Sequence, residues 1–483
     1  MRVVMAASEV VPYAKTGGLA DVLGALPLAL RRLGVDVAII MPAYGLIPRA
    51  RFSLRRTDWV LQVPVSRQTV SAGVLHAELD SGVPVYLIEA DPYFARPGLY
   101  GTAAGDYLDN AERFAFFSRA IPALLEQLGR PDILHCHDWQ TALAPVFLRA
   151  DPARYPQLAG LRTVMTIHNL AYQGVFWHYD WHLLNIGWEY FTPSWLEFYG
   201  KINYLKGGLV CADVLTTVSP TYAQEIQTPE LGCGLDGVLV ARRQVLTGIL
   251  NGGDYAEWNP EHDAHIAARY SADDLSGKAA CKADLQARFG LPVDPRLPLI
   301  GIVSRFADQK GFDLIAEIAA QLLRKRLQMV VLGSGDVKYQ NLFQDLAAKF
   351  RKRLAVRVAF DNVLAHQIEA GSDMFLMPSR YEPCGLNQIY SLHYGTIPIV
   401  RATGGLHDTI DDYDAATGEG TGFKFGEYSG AALLTCIERA LQAYRMPAVW
   451  QRLMHSAMRL DFSWDRSAQT YLELYQRLCG AAA

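Results

Sequence analysis

Short apolar runs alternate with amphipathic stretches along almost the whole chain. In the first half the runs are residues 3–5, 35–41, 83–88, 133–134, 163–167 and 214–218, and a helical pattern covers 20–33. Continuous apolar strands separated by helices pair in parallel and are covered on both faces, so the pattern predicts a parallel α/β sheet. A glycine-rich break follows, Gly248-Ile249-Leu250-Asn251-Gly252-Gly253-Asp254, closed by Trp258-Asn259-Pro260. The rhythm then restarts at 299–303, 329–332, 356–360, 374–377 and 397–400. Two doubly wound domains, residues 1–250 and 251–460, with a cleft at the strand ends, are the expected architecture. The tail from 461 to 478 reads as an amphipathic helix with Trp464, Tyr471, Leu472, Leu474 and Tyr475 on its apolar side.

Composition narrows the class. A chain of 483 residues is too long for one core, which agrees with two domains. Hydrophobic residues at 51% and charged residues at 19% describe a soluble globular protein. A net charge of −4 gives no reason to expect nucleic acid or an anionic membrane as partner. The seven cysteines are scattered, odd in number and without a CxxC pair, which fits reduced thiols in a cytoplasm. Ser8-Glu9 interrupts the first apolar run, so no signal peptide is expected, and no run reaches membrane-spanning length.

The chemistry concentrates between residues 378 and 410. The apolar run Phe375-Leu376-Met377 stops at Pro378, and the loop beyond it carries Glu382 followed by Pro383-Cys384-Gly385. Residues 386–394 look helical, which would put the Cys384, Gly385 and Leu386 amides at a helix N-terminus suited to phosphate. A second small-residue turn, Thr403-Gly404-Gly405, follows the strand at 397–400 and reads as another anion cradle. Lys15-Thr16-Gly17-Gly18 repeats that theme after the first strand, although its lysine precedes the glycines and it is not a Walker loop. A tight turn with a solvated lysine is an equal alternative there. Arg305 and Lys310, in the loop after the strand at 299–303, could neutralise a diphosphate leaving group.

Three further stretches carry polar groups at strand ends. His168 closes the strand at 163–167, where a neutral imidazole could reach a sugar hydroxyl. His135-Cys136-His137-Asp138-Trp139 has poor zinc spacing, and Asp138 with Trp139 reads instead as a sugar-binding acid beside an aromatic platform. Asp412-Tyr413-Asp414 has the acid-x-acid form of a divalent-ion site but sits in a polar loop, so it reads as solvated turn chemistry.

KTGGLADVLGALP, HDWQ, TIHNLAYQG, SRFADQKG, EPCGLNQIY and TGGLHDT, in this order and spacing, closely resemble the bacterial glycogen synthases and plant starch synthases. The resemblance spans nearly the entire chain. It implies a GT-B fold, two Rossmann-like domains facing a deep interdomain cleft, with residues 461–483 returning to the N-terminal domain. It implies retaining transfer of glucose from ADP-glucose to the non-reducing end of an α-1,4-glucan such as glycogen, without metal or cofactor. Carried over by position, it assigns Lys15, Gly17 and Gly18 to the nucleotide sugar, and Arg305 and Lys310 to the diphosphate. It puts Glu382 and His168 at the glucosyl group, Asp138 and Asn251 near sugar hydroxyls, and Cys384, Gly385 and Leu386 on phosphate and sugar. Thr16, Asp21, Trp139, Asn169 and Gln309 join them as substrate contacts.

Two departures stand out. Phe360 lies where the family's tyrosine would stack on adenine, and Gly253 lies where Ile or Val is usual, which would loosen a hinge. A lone acid in the key loop favours front-face internal return over a covalent intermediate, since retaining hydrolases use two carboxylates. Other readings are a non-catalytic glucan or nucleotide-sugar sensor of the same fold and an NAD-type oxidoreductase. The first turn lacks GxGxxG, which counts against the latter. Oligomeric state is left open.

Overall fold

The computed structural model describes residues 1–102 and 104–480; residues 481–483 of the expected tail lie outside the described residues. The chain divides into two compact units. The first holds residues 1–218, 223–252 and the tail from Trp464, and the second holds 219–222 and 253–463.

The first unit is built on a nine-stranded sheet. Its seven parallel strands lie in the order Val83–Glu89, Asp36–Pro42, Arg2–Ala6, Ile133–His137, Arg162–Ile167, Val214–Thr217 and Leu246–Gly248. Numbered by sequence, that is the 3-2-1-4-5-6 order of a Rossmann sheet with one strand added. Val3, Val4, Met5, Ala6, Ile133 and Leu134 are fully buried, as continuous apolar runs in a covered parallel sheet must be. An antiparallel hairpin, Arg55–Val65 with Gln68–Leu79, extends the Val83–Glu89 edge and was not legible in the sequence. Much of its outer strand is exposed and carries Arg55, Arg56, Asp58 and Gln62, so it lacks the apolar run that marks the inner strands.

The tail forms the helix Trp464–Gly480, which packs on the helix Gly18–Arg32 of the same unit. It buries Trp464, Ala468, Tyr471, Leu474 and Tyr475, while Leu472 is only half-buried. The Tyr475 hydroxyl reaches His135 Nδ1 at 2.7 Å, and Arg32 pairs with Asp465 at 2.5 Å.

The second unit has a six-stranded, wholly parallel sheet. Its order is Leu354–Val358, Gln328–Gly333, Leu299–Val303, Met374–Met377, Ile397–Arg401, Phe423–Phe425, again 3-2-1-4-5-6. The strand expected at 356–360 starts two residues earlier, because Leu354 pairs with Met329 and is buried while Phe360 leaves the ladder. In both sheets the order reverses between the first and fourth strands. Ligands of such sheets bind beyond the strand C-termini at that switch point. The 7–18 and 138–139 stretches lie there in one unit, and the 304–310 and 378–386 stretches in the other.

Candidate active site

In the second unit, two loops beyond adjacent strands are tied to each other. The Arg380 amide donates to Gln309 O at 2.8 Å, and Gln309 Nε2 donates to Tyr381 O at 3.2 Å. These backbone ties bring Lys310 Nζ to 2.6 Å from Glu382 Oε2, and Ser379 Oγ donates to the same oxygen at 3.0 Å. Glu382 is buried, and a buried carboxylate is stable only when paired and hydrogen-bonded. Lys310 and Ser379 meet that requirement. Arg305 is exposed on the loop that leaves the strand Leu299–Val303, and Phe360 is 88% exposed.

The Thr403-Gly404-Gly405 turn packs against the Glu382 loop. The Gly405 amide donates to Glu382 O at 3.1 Å and to Pro383 O at 3.2 Å, so this amide seats the Glu382 loop. Gly404 has φ +45°, and a Cβ there would lie 1.9 Å from Glu382 O. The close approach of two backbones explains why both positions are glycine. Cys384 is buried, and the carbonyls of Cys384 and Gly385 accept from Gln388 Nε2 at 2.9 and 3.0 Å. The helix expected from Leu386 runs Asn387–His393. Asp412 and Asp414 are taken up in loop bonds: Asp412 accepts from Arg439 at 3.0 Å, and Asp414 from the Ala416 amide at 2.8 Å.

In the first unit, two amides of the Lys15-Thr16-Gly17-Gly18 turn have an internal partner. Glu9, buried, accepts from the Thr16 amide at 2.5 Å and the Gly17 amide at 3.2 Å through Oε2. Through Oε1 it accepts from the Thr16 hydroxyl at 2.6 Å and the Tyr100 hydroxyl at 2.7 Å. The Gly17 amide expected to face a nucleotide sugar is therefore occupied by an internal acid. Lys15 itself is exposed, with its ammonium 2.6 Å from Asp21 Oδ1. Nothing in the local pattern marked Glu9 beyond its place as an acid interrupting an apolar run.

Asp138 sits at φ +57° just past the strand Ile133–His137, and its Oδ1 accepts from the His168 amide at 2.8 Å. Burial pushes its carboxyl up to about 7; the His168 amide opposes that shift and the charge of Glu9 adds to it. The His168 ring is neutral at ordinary pH, because burial pushes it down to about 3. Its Nε2 lies 2.9 Å from His137 Nδ1. His135 and His137 share one face of their strand, rings stacked at 4.1 Å, and His135 bonds Tyr475 and Thr166. Trp139 is not a free-standing platform. It is half-buried, edge-on to Phe114 at 4.9 Å and near Phe176 at 5.7 Å, with Gly174 pressed against its ring. Asn169 Oδ1 caps the Ala171 amide at 3.1 Å. Asn251 is buried, with Oδ1 lacking a hydrogen-bond partner among the described residues.

At Gly253, the position read as loosening a hinge, a Cβ would lie 2.9 Å from both Ile389 Cγ2 and Tyr255 Cε1, so those side chains occupy the space.

Residues 2–241 match the family model described as starch synthase catalytic domain, and residues 285–452 the one described as glycosyl transferases group 1. A glycogen synthase of Koribacter versatilis (strain Ellin345) is 53% identical over 99% of this chain and 98% of its own length. Glycogen synthase 2 of Geobacter sulfurreducens is 47% identical with the same coverage. Among solved structures, the catalytic domain of Starch Synthase IV from Arabidopsis thaliana, bound to ADP and acarbose, superposes with a TM-score of 0.91 at 36% identity over 99% of each chain. A sucrose-phosphate synthase from Thermosynechococcus elongatus, at a TM-score of 0.61 and 18% identity over 99% of each chain, shares the fold.

Proposed function

The chain belongs to the starch and glycogen synthase family of glycosyltransferases, and on that premise we propose that it moves glucose, with retention, from ADP-glucose to the non-reducing end of an α-1,4-glucan. The observation that carries this reading is the Lys310–Glu382 pair at the switch point of the second sheet, on the loop system that also holds Arg305.

As the glycosidic bond to ADP breaks, negative charge grows on the departing phosphate and positive charge on the glucosyl ring. Arg305 and Lys310 meet the first and Glu382 the second. Both are stronger in the transition state than in the bound donor, so they lower the barrier and not merely KM. The side-chain groups bonded to Glu382 are an ammonium and a hydroxyl, not a second carboxylate. That favours front-face internal return, in which the acceptor hydroxyl enters on the side that ADP leaves. Charge neutralisation by Arg305 and Lys310 calls for no metal or cofactor. Lys15 is assigned to the donor's phosphates, and Asp138, His168 and Asn251 to sugar hydroxyls. Phe360 is assigned to the adenine face, where stacking survives without a tyrosine hydroxyl. Among the described residues no helix is long and apolar enough to cross a membrane, and the cytoplasm is the proposed compartment.

Incubation with ADP-glucose and glycogen is expected to release ADP and lengthen the glucan, with UDP-glucose as the competing donor. No release with either donor would overturn the reading. Binding of both substrates without turnover would replace it with a non-catalytic sensor.

A further inference from the structure

The backbone around Lys15 is pinned on both sides. On one side Val10 and Ala14 exchange amide–carbonyl bonds at 3.1 and 3.0 Å, closing a tight ring just before it. On the other, the Glu9 carboxylate holds the Thr16 and Gly17 amides and the Thr16 hydroxyl. Each Glu9 oxygen receives two donors: Oε2 two amides, Oε1 two hydroxyls. The second hydroxyl is that of Tyr100, which is itself within 2.7 Å of Ser8 Oγ. Glu9 follows directly on two fully buried residues, Ala7 and Ser8, of which Ala7 donates its amide to Ile40 O of the neighbouring strand at 3.0 Å, so it stands at the fixed base of the loop it grips.

We propose that Glu9 is a positioning residue for donor binding: it holds the loop so that Lys15 is presented to the donor's diphosphate without ordering at the moment of binding. Fixing a residue's backbone costs conformational entropy, and a loop already fixed in the free protein does not add that cost to association. Glu9 does not touch the donor in this scheme, because its oxygens are filled by the loop and by Tyr100. Glutamine cannot replace it, since its NH2 would face donors already aimed at an acceptor. The proposal rests on the assignment of Lys15 to the donor.

A double-mutant cycle tests it, with donor KM, kcat and ADP affinity measured for wild type, Glu9→Gln, Lys15→Ala and the pair. Acting through Lys15, Glu9→Gln can lose no more than removal of Lys15 itself loses, so a loss of ADP affinity of several-fold up to roughly tenfold is expected. Most of that loss should vanish when Lys15 is already alanine. Equal losses in both backgrounds would overturn the proposal, as would an unchanged ADP affinity in Glu9→Gln. Should Glu9→Gln fold poorly, Thr16→Val removes only the hydroxyl bond. It is expected to weaken ADP several-fold in the Lys15 background and not in Lys15→Ala, and a loss independent of Lys15 again overturns it. Failure of the wild type to bind ADP at all would instead refute the functional reading on which the proposal stands.

Discussion

The Lys310 ammonium lies 2.6 Å from Glu382 Oε2, so the cation assigned to the leaving diphosphate and the acid assigned to the sugar form one hydrogen-bonded unit. Residues that act as a unit lose activity together. Glu382→Ala is expected to lower kcat by about 10²–10⁴-fold with a much smaller change in ADP affinity. The double variant with Lys310→Ala should be little worse than the worse single one, as read from initial rates of ADP release. Additive losses would show that the two act separately.

Lys15→Ala is expected to raise donor KM roughly tenfold while kcat falls less, because an exposed cation contributes mainly a screened attraction to phosphate. The loss should shrink further in high salt, which steady-state kinetics at two ionic strengths would detect.

The Gly405 amide holds the Glu382 carbonyl, and no side chain fits between the two backbones at Gly404. Gly404→Ala is expected to destabilise the second unit by at least about 1–3 kcal/mol and to displace Glu382. In a unit of this size Tm should fall by about 2–4 °C per kcal/mol, with a loss of kcat that exceeds any loss of ADP affinity.

Gly253→Val would install the residue usual in the family, yet Ile389 and Tyr255 already fill that space, and Tyr255 is stacked on His393 at 4.1 Å. The substitution is expected to lower stability by about 1–3 kcal/mol, as overpacking does. A rise in Tm would show that Ile389 and Tyr255 yield to the added side chain and that the space is not filled.

Asp138 supplies a pH dependence. Between its ordinary value of 3.8 and about 7 the folded protein keeps a proton that the unfolded chain releases, so stability falls as pH rises through that window. The His135 and His168 rings act oppositely, since the unfolded chain takes up protons below 6.5 that the folded one takes up only near 3. Denaturant titrations of wild type against Asp138→Asn isolate the acid: the difference between them should change from about pH 4 to 7 and be flat above.

Most of the secondary structure was legible because an inner parallel strand is buried on both faces, and that burial is written as a contiguous apolar run. The Leu299–Val303 and Met374–Met377 strands were bounded to the residue for this reason. The hairpin at 55–79 was not, since an exposed edge strand takes its order from its neighbour. Residue types at the strand ends were likewise readable, and so was the resemblance that ranked them.

What the sequence by itself determined about this protein is the alternation of strand and helix, and the kind of chemistry standing beyond each strand. Only the tertiary structure decided which groups answer which: Lys310 with Glu382, 72 residues apart, Glu9 with the Thr16 and Gly17 amides, Gly405 with the Glu382 carbonyl. It also turned Trp139 inward and closed the space beside Gly253. The physical reason is that burial leaves a periodic trace in the local sequence, whereas the partner of a buried polar group is chosen by whatever the fold brings within 3 Å, and no local pattern records that choice.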